Sequence, residues 1–376
     1  MMDFGFTEEQ RMFSDMARKF LANEYPMATL REVQKGETGY SKVLWKKMAE
    51  LGFLGLLIDE AHGGLGSGFM DLCPILEEMG RSLFTSPFLT TVLIGGTISS
   101  EKASHELKDR ILPSIASGDV TGSLGVGETG GEWSEDAIQC TAKRKDGYFV
   151  LEGSKVFVPF SKSSHFIVCL ARDNSLQDKG TTLFLVDGGN QKVEHILIPS
   201  FSIERYYEVR LHGVEVPLEN VIGEPGKGWE VIERLWPRIV ASKCIEIVGG
   251  FQRVLDMTVK VVKEREQFGR PIGSFQTIQN YCADIAIGLE ASRVVAYWAA
   301  WKVSTGDSGS GEASMAKAWC GDAFQRATAV ALQAHGAMGF TEEYDLHFYY
   351  KHAKVTQLMY GGGAFHRKIV AGEIGL

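Results

Sequence analysis

Apolar and polar positions follow two different periods along this chain, and the changes of period divide it into three parts. In the first part, Phe13, Met16, Phe20 and Leu21 recur at helical spacing after Thr7-Glu8-Glu9-Gln10, a string with the form of a capping box at a helix start. Further helices are predicted over residues 42–52, 68–80 and 104–117.

In the second part the period falls to two. Runs rich in β-forming residues stand at 148–151, 166–170 and 182–186. Asp146-Gly147, between two such runs, is typical of a two-residue hairpin turn. After Gly226-Lys227-Gly228-Trp229 the helical period returns, with breaks at 267–274 and 304–311.

These periods predict an α+β protein with three domains. They are an N-terminal helical domain over residues 1–120, a middle β-barrel or β-sandwich domain over 121–225, and a C-terminal four-helix bundle over 226–376. A length of 376 residues agrees with this division, because about 150 residues is usual for one domain.

Composition narrows the class of protein. A net charge of −8 without a Lys/Arg cluster argues against a nucleic-acid partner, so any anionic ligand must be held by single arginines or backbone amides. The sequence contains no run of about 18 apolar residues, so no membrane span is predicted, and the N-terminus lacks the form of a signal peptide. Six scattered cysteines without a CxxC pair predict reduced thiols in a cytoplasmic protein and no metal site.

Several local strings resemble the acyl-CoA dehydrogenase family, in the right order along nearly the whole chain. They lie at residues 6–10, 59–66, 209–223, 226–228, 265–276 and 333–341. The resemblance implies the family fold, FAD as cofactor, an acyl-CoA substrate and electron-transfer flavoprotein as electron acceptor. It also implies a homotetramer, or a heterotetramer with a paralogous acyl-CoA dehydrogenase subunit.

The same resemblance assigns two groups of residues to FAD at an interface between subunits. Arg265, Phe268 and Gln276 contact FAD across that interface, and the stretch with Gln333, Gly336 and Ala337 holds its adenosine-diphosphate part. An arginine at a helix end is able to bind a pyrophosphate with two parallel hydrogen bonds, and a glycine lets the backbone approach a ligand closely.

Two further segments correspond to the flavin ring. Val126 and Gly127 lie in the loop whose backbone amides hold the ring in relatives, although Gly127 replaces a threonine. Phe157 supplies an aromatic face where relatives carry tryptophan. Pro159 replaces a threonine or serine and has neither a hydroxyl group nor an amide donor.

Three residues correspond to the substrate side of the family site. Ser134 matches the small polar residue that touches the acyl-CoA, and Arg238 lies close to an arginine that relatives carry near the CoA end. Tyr360 stands where relatives carry an aromatic residue next to the catalytic glutamate.

The carboxylate that removes the substrate proton is missing from all three positions where the family carries it. Gly361 occupies the commonest position, Gly362 the position of a bacterial branch, and Ile239 the position on the helix after the β domain. A positioned carboxylate accelerates such a proton transfer roughly 10²–10⁴-fold. The family chemistry is therefore predicted without its usual base.

Possible replacements are weak. Glu246 lies two helical turns after Ile239, about 10 Å along the axis, which is too far without a water molecule or an unusual substrate. Glu128 and Glu132 have the character of solvated loop charges, and Tyr360 and His366 flank the gap.

Three hypotheses remain open at this stage. The chain is a subunit of a heteromer whose sister chain supplies the base, acting on a bulky, branched or alicyclic acyl group. Alternatively, it is an autonomous dehydrogenase with a relocated base, in which the three glycines enlarge the acyl pocket. In the third hypothesis, it binds flavin or an acyl group without turnover.

Overall fold

The computed structural model describes residues 5–131, 133–176, 180–306 and 308–376. It opens with six helices: α1 (Glu8–Glu24), α2 (Met27–Lys35), α3 (Lys42–Glu50), α4 (Phe69–Arg81), α5 (Phe88–Ser100) and α6 (His105–Ala116). The capping box at the start of α1 is confirmed, because the Thr7 hydroxyl oxygen accepts the Gln10 N–H at 3.2 Å and the Gln10 side chain accepts the Thr7 N–H at 3.2 Å. Helix α5 was not predicted. Because it is buried almost all round, its sequence shows no amphipathic period.

The middle part is a single eight-stranded sheet. Its strands are β1 (Gly122–Gly125), β2 (Thr141–Lys145), β3 (Tyr148–Pro159), β4 (Phe166–Asp173), β5 (Thr181–Asp187), β6 (Val193–Leu197), β7 (Tyr206–Pro217) and β8 (Val221–Ile222). The strand order is β6-β7-β3-β2-β4-β5-β8, and β1 pairs with β4 in parallel. The predicted hairpin turn is confirmed, since Lys145 pairs with Tyr148 across Asp146-Gly147.

The last part is helical, with α7 (Gly228–Glu264), α8 (Gln276–Ser304), α9 (Ser310–His335), α10 (Leu346–Leu358) and α11 (Gly363–Glu373). The three long helices α7, α8 and α9 pack against one another, and the shorter α10 and α11 pack against α9. Between α7 and α8 stands a small hairpin of β9 (Glu266–Gln267) and β10 (Arg270–Pro271). The α+β architecture predicted from the periods is confirmed.

The N-terminal helices and the long C-terminal helices share one apolar core, and the sheet has a second core of its own. Helices α4 and α7 meet where both carry glycine. A Cβ atom on Gly80 would stand 1.9 Å from the Glu246 carbonyl oxygen, and one on Gly249 would stand 1.7 Å from the Glu77 carbonyl oxygen. These two glycines therefore let the backbones touch and fix the position of α7 beside the N-terminal helices.

No helix within the described ranges is long and apolar enough to cross a bilayer. The same residues contain no group of three or more His, Cys, Asp or Glu side chains placed to hold a metal ion.

Candidate active site

The glycine run forms a tight turn between α10 and α11. Tyr360 and Gly361 both have left-handed backbone conformations, with φ of 58° and 97°. The buried ammonium group of Lys317 donates to the carbonyl oxygens of Gln357 at 3.1 Å and Gly361 at 2.9 Å. Burial lowers the pKa of Lys317 to about 8.

His366 holds the same turn from its other side. Its Nε2 lies 2.9 Å from the Tyr360 carbonyl oxygen, and its Nδ1 lies 3.1 Å from the Ser314 hydroxyl oxygen. Because a carbonyl oxygen only accepts, Nε2 carries the proton and Nδ1 accepts from Ser314. Burial lowers the pKa of His366 to about 4, which keeps the ring neutral at pH 7.

The first two glycines of the run differ in the space around them. A Cβ atom on Gly361 would meet the Phe365 ring at 2.4 Å and His366 Nε2 at 2.8 Å, and its φ disfavours any side chain. Gly362 has a φ of −79°, and its nearest neighbour is a Leu358 methyl group at 4.0 Å from the Cβ position. A carboxylate is therefore sterically excluded at residue 361 but not at residue 362.

A buried ion cluster lies beside this turn. Lys243 on α7 donates to Glu204 at 3.0 Å and to Glu246 at 2.8 Å. Glu204 lies in the loop before β7 and also accepts the hydroxyl hydrogen of Tyr206. Ile239, predicted to occupy one of the family base positions, is buried one helical turn before Lys243 and so shares its helix face.

The two carboxylates of the cluster titrate differently. Burial raises the pKa of Glu246 above its ordinary value, and Lys243 only partly offsets this effect. For Glu204, burial acts in the same direction, but the charge of Lys243 and the hydrogen bond from Tyr206 outweigh it and lower the pKa. Burial opposes the charge of Lys243 too, yet the two carboxylates together raise its pKa.

His352 on α10 completes the polar surroundings. It is 6% exposed, burial lowers its pKa to about 4, and its Nδ1 has no hydrogen-bond partner among the described residues. Glu204, Lys243 and His352 face a cavity of about 10 Å³. The lining residues are Glu204, Tyr206, Lys243, His352, Val355, Thr356, Met359 and Tyr360.

An aromatic group connects the turn to the loop after β1. Trp133 stacks on Trp236 with ring centroids 3.7 Å apart, and Trp236 meets Tyr360 edge to face at 5.6 Å. Ser134 follows Trp133 directly and precedes a short 3₁₀ turn. Arg238 lies half-buried on α7, where burial lowers its pKa against the opposing charge of Glu101.

Glu128 serves a structural role in the flavin loop. It forms a buried ion pair with Lys155 at 2.5 Å and accepts the backbone N–H groups of Gln139 at 2.7 Å and Cys140 at 3.1 Å. Its side chain is 10% exposed, so the expectation of a solvated loop charge was wrong. Glu132 lies outside the described residues.

The residues predicted to face the flavin ring lie around the strained end of β3. Phe157 has a φ of 56°, sits at a break in the β3–β7 register and is 53% exposed. The carbonyl oxygen of Val126 accepts from Lys155 at 3.3 Å, and that of Gly127 accepts from the Val156 N–H at 2.9 Å. Pro159 is buried and pairs with Tyr206 of β7.

Of the residues predicted to bind FAD at the subunit interface, Arg265 and Gly336 meet where α7 and α9 end. Arg265 donates to the His335 carbonyl oxygen at 2.7 Å, and its guanidinium lies 3.3 Å from the Cβ position of Gly336. Phe268 is 92% exposed with a φ of 55°. The remaining three, Gln276, Gln333 and Ala337, lie exposed nearby in the chain.

Comparison with known proteins agrees with this arrangement. The N-terminal domain of acyl-CoA dehydrogenases matches residues 7–119, and the C-terminal domain of acyl-CoA dehydrogenases matches residues 226–375. Mitochondrial isovaleryl-CoA dehydrogenase of Solanum tuberosum is 31% identical over 88% of this chain and 82% of its own length. The chain belongs to the acyl-CoA dehydrogenase family.

Other relatives cover almost the whole chain. The acryloyl-CoA reductase (NADH) of Anaerotignum propionicum is 28% identical over 99% of this chain and 96% of its own length. Among solved structures, the ChsE4-ChsE5 complex of Mycobacterium tuberculosis contains a chain that is 26% identical, with a TM-score of 0.90 and coverage of 99% of both chains.

Membership of the acyl-CoA dehydrogenase family makes this chain an FAD-dependent oxidoreductase. Its residues fit that cofactor in two places. Phe157 combines a strained backbone conformation with an exposed ring. Strained conformations persist at ligand sites, and the ring offers a face for the flavin. Arg265 lies against Gly336, where the missing side chain leaves room for the guanidinium group that would bind the diphosphate.

Sequence reasoning missed three members of the site, namely Glu204, Lys243 and His352. Lys243 carried a signal, because it is a charged residue within the apolar run of residues 239–248. Glu204 and His352 carried none, since a loop glutamate and a helix histidine are usually solvated or packed alone. Only the meeting of α7, α10 and the loop before β7 brings them together.

Proposed function

We propose that this chain is a subunit of an FAD-dependent acyl-CoA dehydrogenase in which a paralogous subunit supplies the base. The turn at Gly361 carries the proposal. Its left-handed backbone and the Phe365 ring against the Cβ position require glycine where the family carries its glutamate, and the hydrogen bond from Lys317 to the Gly361 carbonyl oxygen holds that backbone in place. The turn is thus built around the absence of a side chain.

The reaction needs a base that removes a proton from the α-carbon of the thioester while a hydride leaves the β-carbon. FAD, when bound, accepts that hydride. In this chain Phe157 would orient the flavin ring and Arg265 the diphosphate, while Ser134 and Arg238 would bind the thioester and CoA end. Without the base, the proton transfer loses roughly 10²–10⁴-fold in rate.

A face of α8 supports an oligomer. Ile287, Val294 and Trp301 stand seven residues apart and are 66%, 56% and 38% exposed. Residues at this spacing form one apolar stripe along a helix, which is typical of a helix that packs against another chain. The ChsE4-ChsE5 complex, a related assembly named for two different chains, supports a heteromer.

A second candidate is an autonomous dehydrogenase with Glu246 as the relocated base. Burial raises the pKa of Glu246, as a general base near neutral pH requires, and its partner Lys243 lines the same cavity as Tyr360. In this reading a water molecule relays the proton, because Glu246 lies two helical turns beyond Ile239.

Three finer parts belong to the same proposal. The acyl group is bulky, branched or alicyclic, because Gly362 has no neighbouring atom closer than 4.0 Å to its Cβ position and so leaves room next to Tyr360. Electron-transfer flavoprotein accepts the electrons, as the family resemblance implies. The protein works in the cytoplasm, in agreement with six free cysteines.

The test is an anaerobic visible spectrum of the purified FAD-loaded chain, before and after addition of linear, branched and alicyclic acyl-CoAs. The measurement is repeated with the paralogous subunit present. Because one relative is named as a reductase, the reverse direction is assayed with reduced flavin and enoyl-CoAs.

We expect flavin bleaching only with the partner present. Bleaching by the isolated chain, abolished by Glu246→Gln, would overturn the heteromer in favour of the second candidate. Catalysis would be refuted altogether if, in both preparations, no acyl-CoA bleached the oxidised flavin and no enoyl-CoA reoxidised the reduced flavin.

A further inference from the structure

The cavity beside Tyr360 is lined by polar groups where an acyl pocket is expected. Its volume of about 10 Å³ is the space that one water molecule or one hydroxyl oxygen needs. Burying an ion cluster contributes little stability compared with apolar residues of similar volume. The cluster of Lys243, Glu204 and Glu246 is therefore poorly explained by stability alone.

Two groups at this cavity have unused hydrogen-bonding capacity. Lys243 has three N–H donors, and two of them are directed to Glu204 and Glu246. His352 Nδ1 is buried and has no partner in the described part of the chain. A buried polar atom without a partner is unfavourable, and a ligand oxygen here would supply the missing hydrogen bond.

We propose that this cavity is a subsite for one uncharged oxygen atom of the acyl group, a hydroxyl or a carbonyl oxygen, bound by Lys243 and His352. The inference rests on the proposed function only in that the acyl group binds beside Tyr360. It holds whether the base comes from this chain or from a partner.

The charges of the subsite select the kind of oxygen. One lysine already faces two glutamates, so a carboxylate on the acyl group would add a third negative charge around a single cation. An acyl group without oxygen leaves the third Lys243 donor and His352 Nδ1 without partners, or leaves a trapped water in place. A hydroxyl oxygen satisfies both groups in either tautomer of His352, and a carbonyl oxygen satisfies both when Nδ1 carries the proton, in each case without added charge.

The position of the subsite places this oxygen on the acyl group and away from CoA. Lys243 lies one helical turn beyond Ile239, whereas Arg238, predicted to bind the CoA end, precedes Ile239 on the same helix. Tyr360, which lines the cavity, directly precedes Gly361. The oxygen therefore lies past the reacting carbon atoms.

Isothermal titration calorimetry of the FAD-loaded chain, in the oligomer in which it purifies, tests the subsite. The ligands are cyclohexanecarboxyl-CoA, its 3-hydroxy, 4-hydroxy and 4-oxo derivatives, and its 4-carboxy derivative. We expect at least one hydroxy or oxo thioester to bind about tenfold or more tightly than the parent, and the carboxy derivative to bind more weakly than the parent.

The preference should disappear in Lys243→Met and in His352→Leu, and it should survive in Lys260→Met, which changes an exposed lysine of the same helix. His352→Leu leaves the ion pairs of Lys243 intact, so it tests the subsite even where Lys243→Met fails to fold. His352→Asn, which keeps a donor and an acceptor, should restore part of the preference.

Three results would overturn the inference. They are equal binding of all the thioesters, a preference that persists in His352→Leu, and tightest binding of the carboxy derivative. A fourth contradictory result is binding of thioesters to Lys243→Met but not to the natural chain, because the ion cluster would then block the acyl site instead of binding the ligand. Since calorimetry needs no turnover, failure of the proposed catalysis in the flavin assay stays distinguishable.

Discussion

The buried ammonium group of Lys317 donates a hydrogen bond to the carbonyl oxygen of Gly361, 2.9 Å away. The pKa of Lys317 is about 8 in the folded chain, whereas the ordinary pKa of a lysine, which applies to the unfolded chain, is 10.5. The unfolded chain therefore binds more protons between these pH values, and the stability contributed by this group rises as the pH rises from 8 to 10.5.

Lys317→Met should accordingly cost more stability at pH 10 than at pH 8, by up to about 3 kcal/mol. Urea unfolding of both proteins at several pH values measures this difference. Lys354→Met, at an exposed lysine of α10, is the control and should show no such trend. A destabilisation that stays constant across this pH window would contradict the assignment.

The two neighbouring glycines should respond in opposite ways to a carboxylate. Gly361→Glu should destabilise the chain by at least about 1–2 kcal/mol through its left-handed backbone alone, with the Phe365 contact added. Gly362→Asp should fold, because that position is open and begins α11, where aspartate is a favoured cap.

Gly362→Asp should also raise the rate of flavin reduction by a thioester that the chain binds, by roughly 10²-fold or more. Anaerobic stopped-flow absorbance measures the rate, and Gly362→Asn is the matched variant without a charge. Equal rates for the aspartate and asparagine variants would show that a base is not what the isolated chain lacks.

The close approach of α4 and α7 should be intolerant of a single methyl group. Gly249→Ala brings Cβ to 1.7 Å from the Glu77 carbonyl oxygen, so we expect a loss of about 3 kcal/mol or failure to fold. Gly372→Ala on α11 meets nothing within 4 Å and should be neutral or stabilising by up to about 1 kcal/mol. Chemical denaturation compares them, and similar losses at both positions would refute the packing argument.

Removing only the lysine of the ion cluster should destabilise the chain strongly, whereas replacing all three charged groups together should not. Lys243→Met alone leaves Glu204 and Glu246 without their cation, and we expect a loss of about 3–5 kcal/mol. Adding Glu204→Gln and Glu246→Gln should recover most of that loss in urea unfolding at pH 7. A triple variant as unstable as the single one would mean that the damage lies in packing rather than in charge.

The apolar stripe of α8 predicts the effect of one new charge. Val294→Glu should lower the mass in sedimentation velocity by dissociating the assembly, because a charge in an apolar interface is not solvated. Asn280→Asp adds the same charge at an exposed site of the same helix and should leave the mass unchanged. An unaltered assembly in Val294→Glu would place the interface elsewhere.

Much of the fold follows from local pattern, since capping, period and turn chemistry act over a few residues. The capping box at Thr7, the hairpin at Asp146-Gly147 and the helical, β and helical succession all stand as predicted. Helix α5 was not predicted from the sequence, because a helix that is buried on nearly every side has no polar face to reveal its helical period.

The sequence by itself determined the family, the cofactor and the absence of a carboxylate at Gly361, Gly362 and Ile239, because each is a matter of residue identity. The tertiary structure alone decided what surrounds that gap. The Phe365 ring and His366 Nε2 stand where a Cβ atom would lie and so require glycine at residue 361, and Lys317 binds the carbonyl oxygen of that glycine. Helices α7 and α10 and the loop before β7 bring Lys243, Glu204 and His352 to one cavity. Lys317 and Gly361 are 44 positions apart and Lys243 and Glu204 are 39 apart, and contacts between residues so distant in the sequence leave no local pattern.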